Sequence, residues 1–308
     1  MSTIEIAEQR WRTTLAVTLP GSADAPAVRQ AERIMAREVN RLEKAASRFR
    51  ADSEISAVNR DAGQWVRASA LLVQLVEVAL AAAESTDGLV NPCLGRQVDA
   101  AGYGTWAAGD VAVLDLAIPV AAGAGLWREV EVAAGRVRIP SGVALDLGAT
   151  AKAWLADEVA ERISDELELD VIANMGGDLR VIVGAPGWVV SADHEVPGLP
   201  ERAIGISDGG LATSGQGRRR WLTTSGPAHH LIDPRTGRSS ETGWWAVSAL
   251  AASATAANVA ATAGMLLDDA APGWFAERGL HGLFTRWSGS GRATARTVGQ
   301  WPGMEHAA

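Results

Sequence analysis

Apolar residues recur along this chain at helical and strand spacings, and the two kinds of segment are interleaved. Steps of three and four residues predict a helix over residues 27–47. Further helices are expected over residues 69–85, which are strongly apolar, over about 150–167, and over 255–267, which are rich in alanine. Short β-rich runs predict strands at residues 11–19, 144–147, 171–174, 179–183, 203–207, 211–214, 229–232 and 246–251. A hairpin is expected at 129–139 around Ala133-Ala134-Gly135, and one or two strands after Gly282. Residues 48–59 and 89–103 are expected to be irregular.

This mixture of helices, strands and hairpins predicts an α+β (mixed α/β) fold with largely antiparallel sheets flanked by helices. The sequence contains no fixed-period repeat and no low-complexity linker. We therefore expect the 308 residues to form one two-lobed domain.

Composition narrows the function classes. The formal net charge is −8, which disfavours a nucleic-acid-binding protein because such proteins need a basic face. The single cysteine excludes an intramolecular disulfide and a multi-cysteine metal site. We see no uninterrupted apolar run of membrane-spanning length and no basic region followed by an apolar one at the N-terminus. The expectation is a protein without a membrane span that resides in the cytoplasm.

The run Leu-Asp-Leu-Gly-Ala-Thr-Ala-Lys, at residues 145–152, is the first candidate for chemistry. An acidic residue ends a predicted strand, small residues follow, and Lys152 lies in the first turns of a predicted helix. Free N–H groups and the helix dipole at such a position suit a phosphate. The alternative is a plain strand-to-helix turn with Thr150 as the N-cap.

Two adjacent histidines, His229 and His230, precede an Asp-Pro-Arg-Thr-Gly turn. Neighbouring side chains in a strand point to opposite faces, so at most one of the two faces a given pocket. A histidine beside a phosphate can act as acid or base. The alternative is a surface pair at a strand end.

Asn258 and Thr262 are four residues apart on a helix that is otherwise almost entirely small and apolar. They therefore share one face, where two oxygen-bearing side chains suit a hard cation or a buried hydrogen bond. A further run, Asn-Met-Gly-Gly-Asp at residues 174–178, is typical of a hairpin turn with an Asx hydrogen bond.

The order of these motifs resembles the ApbE family of FAD:protein FMN transferases. Ser-Glu-Ile-Ser and Asp-Gly-Leu-Val-Asn-Pro come first, then the three runs at 145–152, 174–178 and 212–215. His-His-Leu-Ile-Asp-Pro-Arg-Thr-Gly and the alanine-rich helix follow. The resemblance covers about residues 11–286.

The resemblance implies an enzyme that transfers the FMN half of FAD to a Thr or Ser hydroxyl of an acceptor flavoprotein subunit and releases AMP. It implies Mg²⁺ bound by the Ala149 carbonyl, Asn258 and Thr262, and His230 as the residue that takes the proton of the hydroxyl. It also implies ring stacking on FAD by Phe49, with further FAD contacts from Leu89, Val90, Asn91, Asp146, Lys152 and Leu231.

One position departs from the resemblance. Better-known members carry Asp where this chain has Asn258, and the neutral amide is a weaker Mg²⁺ ligand than a carboxylate. Asn at this position is similar to members from high-GC bacteria. Two alternatives remain open: an FAD pyrophosphatase, in which water replaces the protein hydroxyl, and a non-catalytic FAD-binding protein.

Overall fold

The computed structural model describes residues 2–104, 123–184, 187–192, 202–217, 219–224, 226–287 and 293–301. Within these ranges the α-helices are α1 (Ala25–Ala46), α2 (Glu54–Arg60), α3 (Ala70–Ser85), α4 (Gly95–Ala100), α5 (Ala151–Leu167), α6 (Ala254–Leu267) and α7 (Ala271–Glu277). Short 3-10 helices lie at Pro92–Leu94, Leu126–Glu129 and Asp268–Ala270.

The same ranges contain short and medium-length β-strands. They are β1 (Thr3–Arg10), β2 (Thr13–Pro20), β3 (Val66–Arg67), β4 (Glu131–Ala133), β5 (Arg136–Arg138), β6 (Val171–Met175), β7 (Leu179–Ile182), β8 (Trp188–Ala192), β9 (Arg202–Ile206), β10 (Asp208–Gly215), β11 (Arg220–Thr223), β12 (Gly226–His229), β13 (Ile232–Asp233), β14 (Arg238–Ser239), β15 (Ala246–Ala251), β16 (His281–Trp287) and β17 (Ala293–Val298).

Every strand pairing among these elements is antiparallel, which confirms the predicted fold class. The described residues divide into two compact units. The first unit draws on residues 1–40, 152–217 and 242–308, and the second on residues 41–151 and 218–241. That the whole chain forms one domain stays a prediction. None of the described helices combines the length and apolarity that crossing a bilayer requires.

The first unit is built on an eight-stranded sheet in the order β1-β2-β6-β7-β10-β15-β16-β17. Its strands are apolar where they are covered: Leu15, Val17 and Leu19 of β2 are fully buried. Helix α6 packs on β10 and β15, and a glycine allows the close approach. A Cβ at Gly210 would come within 2.2 Å of the backbone nitrogen of Ala254. Small residues in the sheet and the helix therefore hold α6 against the sheet.

The N-terminal hairpin of this unit corrects the sequence analysis. The predicted strand at 11–19 begins at Thr13, and a strand before it, β1, was missed. Trp11 and Arg12 form the turn, with φ angles of 50° and 59°. Such turns normally carry Asn or Gly, so Trp-Arg gives no hairpin signal in the sequence. Strand β1 lies at the edge of its sheet, and its charged residues Glu5, Glu8 and Arg10 are typical of an edge strand.

The second unit contains helices α2, α3 and α4 and three small sheets, β3-β5-β4, β11-β12 and β13-β14. The predicted hairpin at 129–139 is present as β4 and β5. Helix α3 spans nearly the predicted residues and begins at Ala70, after the N-cap Ser69, whose side chain accepts a hydrogen bond from the Leu72 nitrogen. One apolar cluster joins Leu94, Val98 and Ile232.

Two segments expected to be irregular contain helices. Helix α2 begins within 48–59 and ends at Arg60. Ser53 caps its N-terminus, and Ile55 and Val58 are buried on one face. Helix α4 lies within 89–103 and follows the 3-10 turn directly. Helix α7 was also missed.

The predicted strand at 144–147 is wrong for a different reason. No strand forms there: Ala144 and Asp146 form backbone hydrogen bonds with Gly95 and Pro92, and a side chain bonds both backbone groups of Leu145. The Leu145 nitrogen donates to Asn59 Oδ1 at 2.7 Å, and Asn59 Nδ2 donates to the Leu145 carbonyl at 2.9 Å. The predicted strand at 229–232 is likewise interrupted, since β12 ends at His229 and β13 begins at Ile232.

Candidate functional site

A tight turn between β6 and β7 positions a buried carboxylate in the first unit. Gly176 and Gly177 both have positive φ, and the Gly177 nitrogen donates to Asn174 Oδ1 at 2.8 Å. The Asx bond expected for this run is therefore confirmed. The turn places the Asp178 side chain in the interior, where it is only 4% exposed.

Two polar side chains contact this carboxylate. Asn258 Nδ2 donates to Asp178 Oδ1 at 2.7 Å, and Lys152 Nζ lies 3.6 Å from Asp178 Oδ2. Lys152 and Asn258, both predicted site residues, are thus brought to the same acidic side chain. Asp178 itself was not among the predicted site residues.

A second carboxylate fixes the start of the helix that carries Asn258. Asp157 accepts hydrogen bonds from the backbone nitrogens of Ala254 and Thr255, at 2.7 and 3.0 Å, and from the Thr255 hydroxyl at 2.7 Å. Burial raises the pKa of the Asp157 carboxyl, and these hydrogen bonds offset part of the rise. Negative charge at a helix N-terminus is favourable, so Asp157 holds α6 in place.

Asn258 and Thr262 lie one turn apart on α6, as predicted, and both are buried. The Thr262 hydroxyl lies 2.9 Å from the hydroxyl of Ser214 on β10. Asn258 Oδ1 is buried and has no hydrogen-bond partner. Buried polar atoms are normally satisfied, so an orphaned acceptor in the interior indicates a site for a donor or a cation.

These residues fit a hard cation. An amide oxygen, a hydroxyl and a nearby carboxylate are the oxygen groups that Mg²⁺ uses. No group of three or more His, Cys, Asp or Glu side chains that suits a metal occurs in the described part of the chain. A soft or imidazole-rich metal site is therefore not among the described residues, and the oxygen cluster of Asp178, Asn258 and Thr262 is the candidate metal site of the first unit.

In the second unit an arginine organises the loop that carries Phe49. The Arg48 guanidinium forms ion pairs with Asp99 and with Asp146, the latter at 2.6 Å. It also lies 4.6 Å from the centre of the Phe49 ring and 5.4 Å from that of Tyr103. Phe49 is 57% exposed, so one ring face is available to a planar ligand.

Tyr103 is the centre of an aromatic cluster in this unit. Its ring centre lies 5.9 Å from that of Phe49, 5.8 Å from that of Trp221 and 6.5 Å from that of His230. We call these four side chains the aromatic cluster. Sequence analysis found Phe49 and His230 but missed the others, although Tyr103 is the only tyrosine of the chain.

The two adjacent histidines have different surroundings. His229 is buried, its Nε2 donates to the Ser240 carbonyl at 2.9 Å, and its Nδ1 accepts from the Leu231 nitrogen at 3.3 Å. Burial lowers the pKa of the His229 imidazole. His230 is half-buried beside Tyr103. His229 therefore stabilises the turn, while His230 is the histidine whose ring lies in the aromatic cluster.

The turn after Asp146 is closed by its own hydrogen bonds. The Gly148 nitrogen donates to Asp146 Oδ1 at 2.7 Å, and the Ala151 nitrogen donates to the Leu147 carbonyl at 2.8 Å. Thr150 is buried, and its hydroxyl lies 3.5 Å from the same carbonyl. Ala149 is exposed at this turn.

The remaining predicted FAD contacts lie elsewhere in the second unit. Asn91 caps the 3-10 turn by accepting from the Cys93 nitrogen at 2.9 Å, and the Val90 nitrogen donates to Thr86 Oγ1 at 3.0 Å. Leu89 is half-buried, and Leu231 is buried. The roles of these residues toward FAD stay predictions.

Comparison with known proteins shows which sequences this chain resembles. The sequence pattern of the ApbE family matches residues 10–284. A protein from Treponema pallidum named FAD:protein FMN transferase is 30% identical over 249 residues, which is 73% of this chain and 68% of that protein. A protein of the same name from Klebsiella pneumoniae is 27% identical over 211 residues, covering 65% of this chain and 63% of that protein.

Solved structures agree with the fold. The ApbE protein of Thermotoga maritima superposes with a TM-score of 0.79 at 25% identity and covers 95% of this chain and 96% of its own. The flavinyl transferase ApbE of Pseudomonas stutzeri gives a TM-score of 0.82 at 20% identity, covering 96% and 95% of the two chains. The second likeness concerns the fold alone.

Proposed function

Because this chain belongs to the ApbE family, we propose that it is a Mg²⁺-dependent enzyme that transfers the FMN moiety of FAD to a Thr or Ser hydroxyl of an acceptor protein. The observation that carries the proposal is the buried, unpartnered Oδ1 of Asn258 beside the Thr262 hydroxyl and the Asp178 carboxylate. A transferase acting on a pyrophosphate needs a hard cation, and this cluster suits one.

Asn258 and Thr262 would hold the metal through side-chain oxygens, and the Ala149 carbonyl stays the further ligand expected from the resemblance. When bound, Mg²⁺ would neutralise negative charge on the pyrophosphate oxygens. Lys152, whose Nζ lies 3.6 Å from Asp178 Oδ2, is our proposed positive charge for a phosphate oxygen, as expected from the resemblance.

The aromatic cluster is our proposed binding surface for the flavin ring. Phe49 presents an exposed ring face, and Arg48 supports it from a position fixed by Asp99 and Asp146. A planar, electron-poor ring stacks favourably on such a surface. We assign the further FAD contacts to Leu89, Val90, Asn91, Asp146 and Leu231, as expected from the resemblance.

His230 is the proposed general base. It would accept the proton of the acceptor hydroxyl while the hydroxyl oxygen forms a bond to the FMN phosphorus. The bond between that phosphorus and the bridging oxygen breaks, and AMP leaves with the oxygen. His229 is unsuited to this role, since both of its ring nitrogens are engaged with the backbone.

Incubation with FAD, Mg²⁺ and a candidate acceptor protein tests this function. We expect a fluorescent covalent flavin adduct on the acceptor, AMP in equal amount, and loss of both on chelation of the metal. Free FMN and AMP without an adduct would instead show a pyrophosphatase. Bound FAD that is not turned over at any Mg²⁺ concentration would show a non-catalytic protein.

The cytoplasmic location, the high-GC bacterial origin and the flavoprotein subunit that serves as acceptor stay predictions. Fractionation of the source cell tests the location. Mass spectrometry of flavin-bearing peptides from the same cell tests the acceptor.

A further inference from the structure

The contact between Asp178 and Asn258 fixes the orientation of an amide. Asn258 turns its NH₂ group toward Asp178 Oδ1, 2.7 Å away, where the amide nitrogen donates and the carboxylate oxygen accepts. The amide oxygen then points away from Asp178. The two ends of an amide have similar shapes, but only the nitrogen end can donate to Asp178, and this fixes the orientation.

That oxygen has no hydrogen-bond partner, although Asn258 is only 8% exposed. An asparagine that served only to support the turn would be expected to have both of its ends bonded, because an unpaired buried acceptor destabilises the folded protein. One end of Asn258 is instead firmly held and the other is left open. This is the pattern expected of a ligand that a neighbour holds ready for a cation.

Asp178 also brings a carboxylate next to the neutral amide of Asn258. Asn258 and Thr262 are neutral, and Asp178 brings a carboxylate into direct contact with Asn258. Lys152 Nζ, at 3.6 Å, offsets part of this charge. A cation bound at Asn258 Oδ1 would therefore have the Asp178 carboxylate as a neighbour, through the Asn258 side chain.

We propose that Asp178 is a positioning residue of the metal site, which orients the Asn258 amide so that Oδ1 faces the cation and supplies negative charge that Asn258 lacks. The inference rests on the proposed function, since it concerns the metal that this function requires. It adds a residue separated by 80 positions from the one it orients.

The test measures metal binding without flavin or activity. Mn²⁺ binds oxygen sites that suit Mg²⁺, and its free fraction is read directly from its electron paramagnetic resonance signal. Asp178→Asn removes the charge and lets the two amides pair in either orientation. We expect Mn²⁺ affinity to fall about 10- to 100-fold, the usual effect of removing a partner that orients a ligand.

Rescue by exchange distinguishes orientation from general support of the turn. In the double variant Asp178→Asn with Asn258→Asp, the same two groups are present with positions exchanged, and the amide at 178 donates to the carboxylate at 258. Mn²⁺ affinity at or above that of the unaltered protein is expected. If Asp178→Asn alone does not fold, judged by circular dichroism, Asp178→Glu takes its place, because the longer side chain moves the acceptor away from Asn258 Nδ2; Mn²⁺ affinity equal to that of the unaltered protein would then overturn the inference.

Asp208→Asn is the matched control for charge. Asp208 lies in the same unit, is 71% exposed and pairs with Arg180 rather than with Asn258. We expect its Mn²⁺ affinity to stay within about two-fold of the unaltered protein, because exposed charges are screened by solvent.

Equal Mn²⁺ affinity in Asp178→Asn and the unaltered protein would overturn the inference and leave the proposed function standing. So would a double variant that folds but does not bind. Absence of Mn²⁺ binding by the unaltered protein would overturn the metal site of the proposed function, and the inference with it.

Discussion

Replacement of Thr262 by alanine tests whether the Thr262 hydroxyl binds the metal or only supports the fold. The Thr262 hydroxyl lies 2.9 Å from that of Ser214, and both residues are buried. Thr262→Ala removes one neutral hydrogen bond and leaves the Ser214 hydroxyl without this partner. Such losses lower the free energy of unfolding by about 1–2 kcal/mol.

That loss is small beside the roughly 5–15 kcal/mol of a typical domain, so the variant is expected to fold. Flavin transfer should nevertheless be abolished, because the cation loses a side-chain ligand. The assay follows the fluorescent adduct on the acceptor at several Mg²⁺ concentrations, with urea denaturation of the same preparations. Thr262→Ser keeps the hydroxyl and should retain transfer.

Thr213→Ala is the matched control for stability. Thr213 lies next to Ser214 on the same strand, and its hydroxyl is 2.8 Å from that of Ser248, so the variant loses a similar hydroxyl pair away from the candidate metal site. A similar loss of unfolding free energy with normal transfer is expected. Normal transfer by Thr262→Ala at the Mg²⁺ concentration that half-activates the unaltered protein would refute the metal assignment.

Three other predictions concern single residues. Asn258→Asp should lower the Mg²⁺ concentration needed for half-maximal transfer, and an unchanged requirement would mean that Asn258 is not a ligand. His230→Gln should abolish adduct formation with little change in the unfolding free energy; retention of the adduct would remove His230 from the chemistry. Burial lowers the pKa of His229 below its ordinary value of 6.5, so the unfolded chain binds this proton more readily than the folded one. Stability should therefore fall as pH drops below about 6.5 toward the lower folded pKa. His229→Asn should be less stable but should lose this acid-side decline, and identical pH profiles in urea denaturation would contradict the assignment.

Hydrophobic periodicity was sufficient for the long elements. Helices α1, α3, α5 and α6 lie close to their predicted bounds, α1 because it repeats apolar residues at helical spacing and α3 and α6 because they are long, nearly uninterrupted runs of apolar and small residues. Strand β15 was predicted to the residue. The failures occurred where local chemistry replaced periodicity. Asn59 substitutes for a partner strand at Leu145, and Trp11-Arg12 forms a turn without a turn-forming residue.

Helix α2 is a failure of another kind, since the signal was present in the sequence. Ser53 caps the helix and Glu54 follows in its first turn, a combination that favours a helix start. The polar residues around it suggested a loop. Ile55 and Val58, three positions apart, are both buried, so the segment has a short apolar face with helical spacing.

The sequence could indicate which residues belong to the candidate sites, but not which side chains contact one another there. The helical spacing of Asn258 and Thr262 placed both on one face, and the structure bears this out. Neither periodicity nor spacing could pair Asn258 with Asp178, because 80 positions separate them and the contact depends on how β6 and β7 turn. The same holds for Arg48, which meets Asp99 and Asp146 only after the second unit has folded.

The position of Asp178 changes how the amide at 258 should be interpreted. By residue type alone, an asparagine in a cation site indicates a weaker ligand and a charge that is missing. With a carboxylate held 2.7 Å from its nitrogen, the same asparagine has a fixed orientation and a negative neighbour. If Asn258 binds the metal as proposed, its strength as a ligand is a property of the pair, and a substitution at either position has to be interpreted together with the residue at the other.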